Sequence, residues 1–109
     1  MNLTIKPLES FTKSIKKLAK KYKNIAQDLK ELQNELLNNP KARIELGNYC
    51  YKIRLANSSV PTGKSGGFRV VYYKKIEDTL YLMEIYSKSD MENITDEKIL
   101  EILKNNGLN

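Results

Sequence analysis

In the stretch "YKIRLA", Lys52 and Arg54 alternate with Tyr51, Ile53 and Leu55; Arg69 follows a glycine pair in "GKSGGFRVVYY", and Lys88 comes just after "LYLMEIYS". Successive side chains of an extended chain point to opposite faces, so Lys52 and Arg54 share one face while the apolar set takes the other. With Arg69 and Lys88 delivered by neighbouring strands, the expectation is a rigid, exposed cationic patch, fed by the glycine-rich loop that carries Lys64. Such a cluster suits phosphate, above all a phosphodiester whose reaction builds negative charge. A guanidinium can hold two oxygens at once. An ammonium supplies a point charge and, where neighbouring cations depress its pKa, a proton donor or acceptor. Tyr72, Tyr73 or Tyr86 could stack an exposed base.

Other chemistries are excluded. The "GKS" at Gly63-Lys64-Ser65 is not the end of a phosphate-cradling P-loop: Ser58 stands where the first glycine is required, and a β-branched and aromatic run follows where a helix is needed. The chain has no histidine and one cysteine. Zinc ligation, an internal disulfide and Ser-His or Cys-His nucleophilic catalysis are therefore not expected, nor is any cofactor. Proton transfer would have to come from Lys, Arg, Tyr, Asp or Glu.

The 109 residues carry a formal charge of +6, unevenly spread. No carboxylate lies between Glu45 and Glu77, whereas Lys52, Arg54, Lys64, Arg69, Lys74 and Lys75 all do. A surface of this kind attracts polyanions, although an acidic protein partner would be drawn to it too. The lysines between Lys13 and Lys23 read as the solvated face of a helix, and Cys50 as a small buried hydrophobe. No apolar run reaches membrane-spanning length, and "MNLTIKPLES" lacks the charged-then-apolar order of a signal peptide. The expectation is a cytoplasmic chain forming a single domain over residues 1–109.

The elements that must position these residues follow from periodicity. Leu3 to Lys6 reads as a short edge strand stopped by Pro7. Phe11, Ile15, Leu18, Tyr22, Ile25, Leu29, Leu32 and Leu36 recur at steps of three and four, the pattern of an amphipathic helix. A break at Asn24 divides it into two antiparallel helices, Ser10 to Lys23 and Ile25 to Asn38, ended by Asn39-Pro40; one unbroken helix is the competing reading. "YKIRLA", "FRVVYY" and "LYLMEIY" supply strands, the last two joined as a hairpin through Lys75 to Asp78, with Tyr51, Tyr72, Tyr81 and Met83 in the core. Asn57 to Gly67 is the flexible connection. Thr95 can cap a final helix that starts at Asp96 and ends near Gly107, with Ile94 stapled onto Ile99.

Taken in order, "CYKIRLA", "GKSGGFRVVYY" and "LYLMEIYSKSD" resemble the RelE/HigB branch of the bacterial RelE/ParE toxin superfamily, especially HigB-type toxins with a GK-x-GG-x-R loop. The likeness runs over Cys50 to Asp90. It implies an α+β fold of two N-terminal helices packed on a small, mainly antiparallel twisted sheet, with a C-terminal helix. It also implies an activity, metal-independent cleavage of mRNA in the ribosomal A site, in which the 2'-hydroxyl attacks the adjacent phosphate. By resemblance Lys52 and Arg54 match the family's paired basic strand positions, Arg69 its strand arginine and Lys88 the basic position after the last strand. Lys64, Tyr73 and Lys74 are the expected RNA contacts. Some members carry a catalytic tyrosine shortly after the Lys88 position. This chain has Met91, Asn93 and Ile94 there, which leaves Lys64, Tyr72, Tyr73 or the ribosome to act as base. Expected partners are a cognate antitoxin, the ribosome and mRNA, with operator DNA reached only through the antitoxin complex. Two alternatives share the fold: a ParE-like inhibitor of DNA gyrase, and a cleavage-dead module acting as antitoxin-binding co-repressor.

Overall fold

Alternating apolar and polar residues build the strands, and three- and four-residue apolar steps build the helices, in the order β1 (Thr4–Pro7), α1 (Glu9–Lys21), α2 (Ile25–Asn38), β2 (Arg43–Gly47), β3 (Cys50–Leu55), β4 (Phe68–Ile76), β5 (Thr79–Ser87) and α3 (Asp96–Asn105). The computed structural model describes residues 3–61 and 66–108. The strands form one five-stranded sheet in the order β1-β5-β4-β3-β2. β1 lies parallel to β5, and every other pairing is antiparallel. This is the expected α+β architecture.

The break between the N-terminal helices falls at Tyr22, whose backbone is extended at φ −115° and ψ 99°. Its ring is buried edge-on against Phe68 at 5.5 Å between centroids, so tertiary packing ends α1 where the apolar period alone would have run on. Asn24 then stands at the N-cap of α2, with its carbonyl accepting from Gln27 and Asp28.

The sheet separates two cores. Phe11, Tyr22, Ile25, Leu32 and Leu36 of the N-terminal segment pack with Ile53, Leu55, Phe68, Val70 and Tyr72 on one face. On the other, Ile99, Ile102 and Leu103 of α3 cover Cys50, Val71, Tyr73, Met83 and Tyr86. Thr95 caps α3 by accepting from the Lys98 amide at 3.2 Å, and Ile94 joins Ile99 in the same cluster. α3, ten residues long, covers part of the second face, and a groove lies at the end where β3 finishes and β4 begins.

β2 is a strand for which the periodicity gives no expectation. It forms a hairpin with β3 in which Gly47 pairs with Cys50 across Asn48 and Tyr49, both at positive φ (53° and 64°). That is the geometry of a tight type I′ turn, whose hand matches the twist of the flanking strands. Across the sheet, Gly67 is fixed by crowding rather than by φ: a Cβ there would lie 2.9 Å from the Asn57 nitrogen and closer still to the Leu55 carbonyl oxygen.

Candidate active site

Strand register brings the predicted cations together. Arg54 on β3 is the direct cross-strand partner of Arg69 on β4, and Arg69 in turn pairs with Tyr86 on β5. Lys52 lies two residues before Arg54 on the same face. Lys88 follows β5 directly, and its amide donates to the Gly67 carbonyl at 3.1 Å. All four side chains line a groove of about 520 Å³ at the open end of the sheet.

Their environments differ. Arg54 and Lys88 are exposed, and neither forms an ion pair among the described residues. Lys52 is half-buried and donates to Asn93 Oδ1 at 3.1 Å. Arg69, expected on an open surface, is instead only 4% exposed, with a guanidinium nitrogen donating to the Phe68 carbonyl at 3.2 Å. Burial lowers its pKa, and the facing Arg54 charge pushes the same way. Two guanidiniums directly opposite one another repel. A bound phosphate would convert that repulsion into two charge-assisted contacts.

The groove also contains residues that the sequence reading missed. Lys41 and Arg43 enter from the α2–β2 connection and β2, while Glu35, Glu92 and Asn93 contribute polar oxygens. Six cations there face two carboxylates, so the groove is cationic without being free of acid. The Arg43 guanidinium lies over the Tyr51 ring at 4.1 Å, and Tyr51 stacks on Tyr72 at 5.4 Å, which ties β2 to the rest of the sheet. Asn39 donates to the buried Glu35 at 3.2 Å. The signal for Arg43 was the alternation of "RIELG" ahead of the "GNY" turn.

The aromatic expectations need correction. Tyr73 is 6% exposed and sits among Tyr49, Tyr81 and the side chains under α3. It lies four residues along β4 from Arg69, about 13 Å at strand rise, and cannot stack a base in the groove. Tyr72 is buried on the opposite face. Lys74 follows Tyr73 on β4, its amide donating to the Tyr49 carbonyl, and does not line the groove. Lys64 lies outside the described residues. Tyr86, facing Arg69, is buried, and its hydroxyl makes no well-formed hydrogen bond among the described residues. Burial raises its pKa, opposed by the Ile94 backbone and the Arg69 charge.

A family model described as the RelE toxin of the RelE/RelB toxin-antitoxin system matches residues 10–106. The chain belongs to the RelE toxin family. It is thus a toxin of a toxin–antitoxin system, and membership implies an antitoxin partner. Among solved structures, an Escherichia coli RelE toxin carrying two arginine-to-alanine substitutions, in the free state, matches at TM-score 0.56 and 19% identity, over 96% of this chain and 98% of that one. It supports the RelE fold. A conserved hypothetical protein, HP0892 from Helicobacter pylori, matches at TM-score 0.47 and 25% identity, over 82% of this chain and 98% of that one. A search of curated protein sequences finds no match. No described helix is long and apolar enough to cross a membrane.

Proposed function

We propose that this RelE-family toxin is a metal-independent endoribonuclease that cuts mRNA on the ribosome and thereby stops translation. The observation that carries the reading is the groove in which buried Arg69, its cross-strand partner Arg54, and Lys52 and Lys88 converge. A sugar-phosphate chain laid there meets guanidiniums able to hold two non-bridging oxygens, with an ammonium to either side. In the reaction the 2'-oxygen attacks phosphorus and loses its proton. The bond to the 5'-oxygen breaks, leaving a cyclic phosphate and a free 5'-hydroxyl.

In this scheme Arg69 clamps the phosphate as its charge grows, with burial strengthening the interaction. Lys52 and Arg54 stabilise the nucleophile, and Lys88 protonates the leaving 5'-oxygen. Burial removes Tyr72 and Tyr73 as acceptors of the 2'-proton. Glu92 is the exposed carboxylate among the groove's described residues, and we assign it that role.

Mapping mRNA 5' ends in a translating extract, with and without purified protein, tests the scheme. New ends at ribosome-protected codons are expected from wild type. Arg69→Ala is expected to lower the cutting rate by roughly 100- to 1,000-fold, the range seen when one preorganised transition-state contact is lost, and Glu92→Gln to lower it as well. Because Arg69 is buried, its variant is compared by thermal melt, and Arg54→Ala at an exposed position gives a second reading. Intact mRNA with wild-type protein would remove the nuclease assignment, and gyrase-dependent DNA damage in its place would establish the ParE-like alternative. Growth arrest that survives Arg69→Ala would take Arg69 out of the mechanism.

A further inference from the structure

We infer that Tyr22, at the end of α1, is a positioning residue for Lys88; the inference rests on the nuclease reading above. Tyr22 is 5% exposed, and a buried phenol needs a partner for its hydroxyl. That hydroxyl donates to Ser87 Oγ at 3.3 Å and meets Ser89 Oγ at 3.4 Å, and the two serine hydroxyls are 2.8 Å apart. Ser87 is itself 2% exposed. The hydroxyls on either side of Lys88, Ser87 buried and Ser89 exposed, therefore both meet one phenol. The lysine between them is left exposed, on the side that lines the groove.

Four further contacts hold the same segment. The Lys88 amide donates to Gly67, the Asp90 and Met91 amides both return to the Ser87 carbonyl, and Lys21 pairs with Asp90 at 3.1 Å. The Tyr22 ring also rests edge-on against Phe68, whose carbonyl accepts from the Arg69 guanidinium. One side chain at the α1–α2 corner thus abuts the backbone segments that carry two groove cations. Its hydroxyl is spent on aiming the Lys88 segment, while its ring serves the core. A core role alone requires only the ring, which phenylalanine supplies.

The test is a double-mutant cycle read by mRNA cleavage, together with amide hydrogen exchange over residues 87–93. Tyr22→Phe keeps the ring and removes the hydroxyl. Cleavage is expected to fall about tenfold or more, the scale of a misplaced catalytic group. In a Lys88→Ala background the same change is expected to alter the rate by less than about twofold, as for a residue that acts only through the missing lysine. Exchange of the Asp90 and Met91 amides is expected to quicken in Tyr22→Phe while the sheet amides stay protected. Equal effects of Tyr22→Phe in both backgrounds, or an active Tyr22→Phe with unchanged exchange, would overturn the inference and leave the nuclease reading standing. Wild-type protein that does not cut would remove that reading, and the positioning role with it.

Discussion

The thiol of Cys50 is 1% exposed and meets the Met83 sulfur at 3.6 Å, and burial pushes its pKa up to about 11. A thiol so placed is a packing group and a poor nucleophile. A disulfide reagent at neutral pH is expected to leave the folded chain unmodified and to label it once unfolded; native labelling at the unfolded rate would contradict the packing. The linkage has a definite sign. The folded pKa lies above the unfolded value of about 8.5, so the stabilisation is complete below that pH and is lost as pH climbs towards about 11. The midpoint of a denaturant melt is therefore expected to fall over that alkaline window in wild type, and to fall less in Cys50→Ala. Sequence patterning also put Lys52 and Arg54 on one face, because alternation fixes a face without knowledge of what covers it, and put Lys88 just past the end of a neighbouring strand. It misjudged Arg69 and Tyr73 for the converse reason. Both share the face of Lys52, but α3 closes over the Tyr73 end, and burial of Arg69 is decided by neighbours brought in by the fold.

At the scale of elements, both N-terminal helices, the three long strands and the capped C-terminal helix were legible, each carrying a sustained period or a stop signal. β2 was not. Five residues with Ile44 exposed give a weak alternation, and its existence depends on pairing with β3. The parallel placement of β1 beside β5 was equally hidden, since a pairing across more than seventy residues leaves no local trace. The crossing at Gly67 is where elements and site meet: β4 begins there against the end of β3, and the Gly67 carbonyl holds the Lys88 amide. Because the atoms a methyl would strike are backbone, they cannot swing aside. Gly67→Ala is expected to cost about 1–3 kcal/mol, as overpacking does, with a fall in Tm of several degrees or more for a domain of roughly 100 residues. Cleavage per folded molecule should fall as well, because the shift displaces Arg69 and Lys88 together. An unchanged melt would show that the β3–β4 crossing has slack.

For the molecule as a whole, the charge of +6 is a field with a direction. Six of the nineteen lysines and arginines line the groove on one sheet face, a second set lies along α1, and much of the acid lies in the C-terminal part, including Asp96, Glu97 and Glu101 of α3, which covers the other end of that face. An approaching polyanion is drawn to the groove before any specific contact forms. If the contact is chiefly with phosphates, binding must release counterions, and affinity for a single strand falls with salt on a log-log slope of roughly −0.7 for each phosphate engaged. Anisotropy of a labelled oligoribonucleotide across a salt series measures that slope for wild type. Replacing Lys88, exposed and without an ion pair among the described residues, by Ala is expected to weaken binding and reduce the slope's magnitude by about one such increment. Replacing Lys13, which pairs with Glu9 on the outer surface of α1, is expected to change neither. A slope near zero, or equal effects at the two lysines, would mean that the RNA is held by something other than this groove, because charge spread evenly over the surface cannot tell Lys13 from Lys88.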